Sequence, residues 1–210
     1  MPAKKIDLRR ESGQRTRDQL LTAALSLLAE RGPDGVTLRE ITDAAGVNVA
    51  AVSYHFGSLK GLCEAAGEVA LERYLGAQHE AISTLPPGVG LRELATAFAR
   101  PMVDALGAGG RDLAVMRTLA WYGTDPPAGW DRLDDKFAEI RADVIRLLEA
   151  HLPEVDEQEL IFRLRCAAGM LNWLALAPIG AELAGKPAGQ IERLLWPVLA
   201  GAFHGDPGTG

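Results

Sequence analysis

The sequence has little of what disulfide, metal or hydrolytic chemistry requires. Its two cysteines, Cys63 and Cys166, stand far apart with no CxxC spacing. That argues against a disulfide framework and a zinc knuckle, and it points to a reducing compartment. His79, His151 and His204 fall in no metal-ligand pattern, so neither a metal nor a cofactor is expected. No Gly-rich phosphate loop, G-x-S-x-G or HExxH motif occurs. Asp134 and Asp135 are adjacent, hence on different faces of a helix, and read as solvated rather than as a catalytic pair. The expectation is a protein that is not an enzyme. Long apolar runs are missing too. The longest, "CAAGMLNWLALAPIGA" at 166–181, is interrupted by Asn172 and Pro178, short of the roughly 18 to 20 apolar residues of a spanning helix. The first 13 residues are charged and lack the apolar stretch of a secretory signal. These absences predict a cytoplasmic chain with no membrane partner.

What is present suits a globular protein. The 210 residues, 48% hydrophobic and 24% charged, are enough for one domain, or for a small module joined to a larger one. The formal charge of −6 hides an asymmetry, because residues 1–60 carry a net +2 and residues 61–210 a net −8. Six basic residues (Lys4, Lys5, Arg9, Arg10, Arg15 and Arg17) crowd the first 17 positions against Asp7 and Glu11. A basic arm, 1–14, thus precedes an acidic body, and a local positive field is what attracts a polyanion.

Helical periodicity dominates, and no strand pattern or internal repeat competes with it. Leu20, Leu21, Ala24, Leu27 and Leu28 form a stripe at steps of three and four. Gly32-Pro33-Asp34-Gly35 then stops the helix. Thr37 and Glu40 have the spacing of a capping box that opens a short helix over 38–45. Gly46 suits a tight turn. Asn48 caps a second short helix over 48–55, and Ser58 a long one reaching about Leu85. Two brief helices joined by a glycine turn behind a longer amphipathic one spell helix-turn-helix, with Leu38, Ile41, Ala45, Val47, Val52 and Phe56 as its apolar side. The other side of the second short helix is small, as a helix approaching base edges closely must be.

The stretch "TRDQLLTAALSLLAERGPDGVTLREITDAAGVNVAAVSYHFGSLKGL", residues 16–62, resembles the N-terminal DNA-binding domain of TetR-family transcriptional regulators. The resemblance rests on "AA…LLAERG", "VTLREI", "AAGV" and "YHFGS" in that order and spacing. It implies an all-α homodimer: a three-helix helix-turn-helix domain (15–60), a helical effector-binding and dimerisation domain (61–204) and a loose tail (205–210), about nine helices in all. Carried over, Asn48, Val49, Ala50, Ser53 and Tyr54 face double-stranded operator DNA. Thr37 and Arg39 meet the backbone and a guanine, and His55, Ser58 and Lys60 lie near phosphate. The sequence departs from the family at two places. Ser53 stands where many members have tyrosine, and Leu59 fills a slot where members use lysine, so that Lys60 is turned by about 100° from it.

In the body, Leu91 to Leu106 reads as a helix that Pro101 should kink or break. Further helices are expected over 113–121, from 133 to near 151, 156–185 and 188–203. Met102, Met116, Trp121, Tyr122, Phe137 and Trp173 could surround a largely apolar effector anchored by Arg117 or Asn172, although ordinary core explains each of them more often. Ala167, Ala168 and Gly169 with Leu171, Leu174, Leu195 and Leu199 are candidates for a two-fold helical seam, or again for core. The resemblance implies a repressor released by a small molecule from a pseudo-palindromic operator. Two alternatives stay open: an activator of the same fold, and a helical binder or enzyme that does not read DNA.

Overall fold

The computed structural model describes residues 3–123 and 134–204, with side chains over 11–123 and 138–203. Among these residues lie ten α-helices and one 3-10 turn. The helices are α1 (Ala3–Arg31), α2 (Leu38–Ala45), α3 (Val49–Phe56), α4 (Leu59–Ser83), α5 (Leu91–Ala108), α6 (Gly110–Tyr122), α7 (Asp134–Glu149), α8 (Glu157–Leu176), α9 (Pro178–Leu183) and α10 (Ala188–His204). The fold is all-α, as the periodicity predicts.

Three expectations need correction. From Ala3 onward the basic arm is the first part of α1 rather than a separate segment. Pro101 does not end its helix, which runs on to Ala108. A proline removes one backbone hydrogen bond, but Ala97, Phe98, Ala99, Met102 and Val103 around it are all buried, and their packing holds the helix together. The single helix expected over 156–185 is two. Ala177 is extended (ψ 153°), and Pro178 opens α9, a first-turn position where its missing N–H costs nothing. That division raises the count from nine to ten.

Two cores organise the molecule. One joins Leu20, Leu21, Leu28, Ile41, Val52, Leu62 and Leu71 with Val115 and Leu119 of α6. The other gathers α5, α7, α8 and α10 around Leu94, Leu106, Leu148, Leu160, Ile191 and Phe203. α6 contributes to both, since Leu113, Met116 and Ala120 belong to the second core. Polar ties reinforce the joint. Arg111 donates to the Thr22 hydroxyl (2.7 Å), and the buried Tyr122 hydroxyl donates to the Cys63 carbonyl (3.2 Å).

Candidate nucleic-acid interface

The start of α2 is a closed hydrogen-bonded ring. Thr37 accepts from the Glu40 amide (3.3 Å), while its own N–H and hydroxyl donate to the Glu40 carboxylate at 2.9 and 2.7 Å. Arg31 reaches across from α1 to the other carboxylate oxygen at 2.6 Å. The Thr37 hydroxyl first, then Arg31, hold the Glu40 carboxyl below its usual range. The capping box is therefore present, and both Thr37 donors are occupied in it, which leaves Thr37 a cap with no spare hydrogen for a phosphate. Arg39, one step on, is free of that ring. It is exposed and only loosely paired with Asp43 at 3.7 Å.

Gly46, left-handed at φ 66°, turns the chain into α3. The Asn48 side-chain oxygen accepts from the Ala50 amide (2.9 Å), so its cap uses the oxygen and leaves the NH2 to donate outward. Along α3, Val52 is buried and Phe56 half-buried, while Val49, Ala50, Ser53 and Tyr54 are exposed, Tyr54 to 85%. The Arg17 guanidinium lies over the Phe56 ring, 5.3 Å from its centroid, a contact that braces α3 against α1. His55 is half-buried, within 3.9 Å of where a Cβ on Gly13 would stand. It is thus turned toward α1 rather than out along the open face. At the next junction the Ser58 hydroxyl accepts from the Gly61 amide at 3.1 Å. Leu59 packs into the N-terminal core, and Lys60 is exposed, 3.8 Å from Glu64. The result is a short helix with a slim, acid-free outer face, held from behind by apolar side chains.

Two family models match the chain. Residues 20–66 match bacterial regulatory proteins of the tetR family, and residues 96–195 match the tetracycline repressor-like C-terminal domain. Together they cover more than two thirds of its length.

The chain belongs to the TetR family.

It is accordingly a DNA-binding transcriptional regulator with a helix-turn-helix domain and a C-terminal helical domain. No curated protein resembles it closely enough to count as a relative by sequence. Among solved structures, it is similar to PfmR, a TetR family transcriptional regulator from Thermus thermophilus. The two are 20% identical with a TM-score of 0.62, over 90% of this chain and 96% of that one. AibR, solved with isovaleryl coenzyme A and operator DNA, is 18% identical with a TM-score of 0.63, over 87% and 98%. KstR2 of Mycobacterium tuberculosis, a ketosteroid transcriptional regulator, is 17% identical with a TM-score of 0.61, over 88% and 93%.

The body of this TetR-family regulator does not gather the expected effector residues. Met102 is core, and Met116 also lines a cavity of about 250 Å³ beside Arg73, Tyr74 and Asp112. Trp121 packs its ring against Gly32 at the end of α1, 3.1 Å from where a Cβ would stand. Tyr122 is tied to α4, and Arg117 donates to the Ala175 carbonyl (3.0 Å) across the α6–α8 seam. Asn172 lies beside Gly123 at that seam, and Trp173 is 61% exposed. The Phe137 side chain lies outside the described residues. A second cavity, about 160 Å³, opens among α4, α5, α7 and α8, lined by Tyr74, Leu75, Gln78, Phe98, Ile140, Arg141, Val144, Leu164, Arg165 and Ala168. Gln78 was legible in principle. It interrupts the buried α4 series Leu71, Leu75, Ile82, and a polar residue at a core step signals a partner or a ligand.

The residues expected at a two-fold seam lie mostly in the subunit's own core. Ala167, Leu171, Leu174, Leu195 and Leu199 are buried within the subunit, and Ala168 is half-buried. Gly169 alone of that set stands open. The opposite faces of α8 and α10 instead expose Phe162 (66%), Trp173, Leu176, Leu194 and Val198, with Cys166 between them and Ile179 of α9 beyond.

Proposed function

We propose that this regulator represses transcription by gripping a two-fold operator as a homodimer, and releases it when a small molecule enters its body. The observation that carries the reading is the outer face of α3: Val49, Ala50, Ser53 and Tyr54, uncrowded and acid-free, with Val52 fixed behind them. A slim helix of this kind enters a major groove. Val49 and Ala50 can meet thymine methyls, and Ser53, Tyr54 and the Asn48 amide can donate to base edges. Arg39, exposed at the start of α2, is the side chain assigned to a guanine in this reading. Lys60 and the amides after Ser58 supply phosphate contacts. The net +2 of the first 60 residues supports approach to a polyanion despite an acidic body.

One eight-residue helix touches too few bases for useful discrimination, so two are needed, related by symmetry. The exposed Phe162, Trp173 and Leu176 of α8 and Leu194 and Val198 of α10, two helices that pack on each other, are what such a pairing would cover. Shared packing of α6 between the two cores offers a route by which an occupied body changes the spacing of the two α3 helices. A gel shift with the DNA flanking its own gene, followed by selection of bound duplexes from a random pool, tests the reading. The expected product is an inverted repeat bound by a dimer. A well-folded dimer that shifts no duplex at low salt would falsify it.

A further inference from the structure

Gln78 sits in the wall of the 160 Å³ cavity, 2% exposed. Its side-chain amide donates to the Phe98 carbonyl at 3.0 Å, three residues before Pro101 in α5. A carbonyl can only accept, so the nitrogen must face it and the amide orientation is fixed by chemistry. The other end, Oε1, is then a buried acceptor without any hydrogen bond. Buried acceptors are rarely left so. Around it the cavity is apolar, formed by Leu75, Phe98, Ile140, Val144 and Leu164. Arg141 and Arg165 also line it, and none of the lining residues is acidic. Neither guanidinium makes an ion pair within the described residues. Two like charges at one opening, with no ion pair among the described residues, call for an anion.

Size narrows the class. An engineered cavity of about 150 Å³ in another protein accommodates benzene, so this one has room for one ring or its branched equivalent. We propose that the cavity takes a compact, single-ring-sized carboxylic acid bearing a hydrogen-bond donor. The donor satisfies Gln78 Oε1, the ring fills the apolar walls, and the carboxylate pairs with Arg141 and Arg165. This assignment rests on the effector-responsive reading above and names its ligand class. Tyr74, whose hydroxyl is pushed up to about 12 by burial, stays neutral there and adds no competing charge.

The test is calorimetric titration of the full-length protein, without DNA, using the three hydroxybenzoate isomers, benzoate and the methyl esters of the hydroxybenzoates. At least one hydroxybenzoate should bind once per subunit, and about tenfold more tightly than its ester or than benzoate. The double variant Arg141→Gln/Arg165→Gln, altered at the cavity opening and not in the core, should lose the preference for acid over ester and keep the preference for the hydroxyl. Gln78→Met should do the converse. Should that variant lose stability through the Phe98 carbonyl, the arginine pair still decides. Acids and esters binding alike, or no hydroxybenzoate binding at millimolar concentration, overturns the assignment and leaves a cavity for water. Operator binding with no acid bound sinks this inference alone. Acid binding by a protein that shifts no DNA upholds it while sinking the repressor.

Discussion

At the junction of α3 and α4 there is no room for a methyl group on Gly61, because a Cβ there would fall on the Phe56 carbonyl oxygen. Backbone cannot rotate away as a side chain can. Gly61→Ala should therefore cost about 3 kcal/mol, at the upper end of overpacking penalties. Gly76, on α4 with nothing within 4 Å of its notional Cβ, should behave oppositely: Gly76→Ala should stabilise by about 0.5 to 1 kcal/mol through helix propensity and unfolded-state entropy. Urea melts of the two variants read both numbers, and equal effects would contradict the geometry. Glu40 gives a second residue-level prediction. Its folded pKa lies below the ordinary 4.5, so its contribution is complete at neutral pH and is lost as pH falls through the lowered value. The stability gap between wild type and Glu40→Gln should accordingly be widest near pH 7 and close in acid; a gap that grows on acidification would reverse the sign. The caps themselves were legible in the sequence, since Thr37, Asn48 and Ser58 act on amides two or three residues away. The commitment of the Thr37 hydroxyl was not, because it depends on a carboxylate that Arg31 pins from another helix.

α3 as an element depends on thinness. Ala50 is exposed and touches little of the protein, so Ala50→Leu should leave the melting temperature within error. In the groove the larger side chain would hold the helix off the base edges, and specific binding should fall by at least about tenfold. Arg39 and the first part of α1 should separate by mode. Arg39→Ala should cost about 1 to 3 kcal/mol on the specific duplex and far less on a random one. Neutralising Lys4 and Lys5 should weaken both duplexes alike and flatten the salt dependence. Binding curves on both duplexes across a salt series distinguish the two. α8 shows where periodicity runs out. Leu171 and Trp173 both belong to apolar series on that helix, yet one is 4% exposed and the other 61%. When a helix is apolar nearly all round, its sequence does not say which side meets its own subunit. α4 had the opposite problem: one glutamine in a buried series marked a cavity that the bulky aromatic residues did not.

For the whole molecule, the division of labour between faces of α8 and α10 decides what assembly is possible. Leu171, Leu174, Leu195 and Leu199 hold the body core together, whereas Phe162, Trp173, Leu194 and Val198 hold nothing within the subunit that would explain their exposure. Charge placed on one set should unfold the chain, and charge placed on the other should only separate subunits. Leu171→Asp buries an unpaired carboxylate, so it should abolish cooperative melting. Trp173→Asp and Leu194→Asp put their charges on open surface. The combined variant should keep its helical content and cooperative melt, yet sediment as a monomer. Because each monomer then carries a single α3 and half the phosphate contacts, its gel shift on the operator should weaken by about two or more orders of magnitude, and by more than its binding to random DNA weakens. Sedimentation, circular dichroism and the two gel shifts must agree. A Trp173→Asp/Leu194→Asp protein that remains dimeric would move the pairing surface elsewhere, and one that is monomeric yet still reads the operator at full strength would remove the need for symmetry altogether.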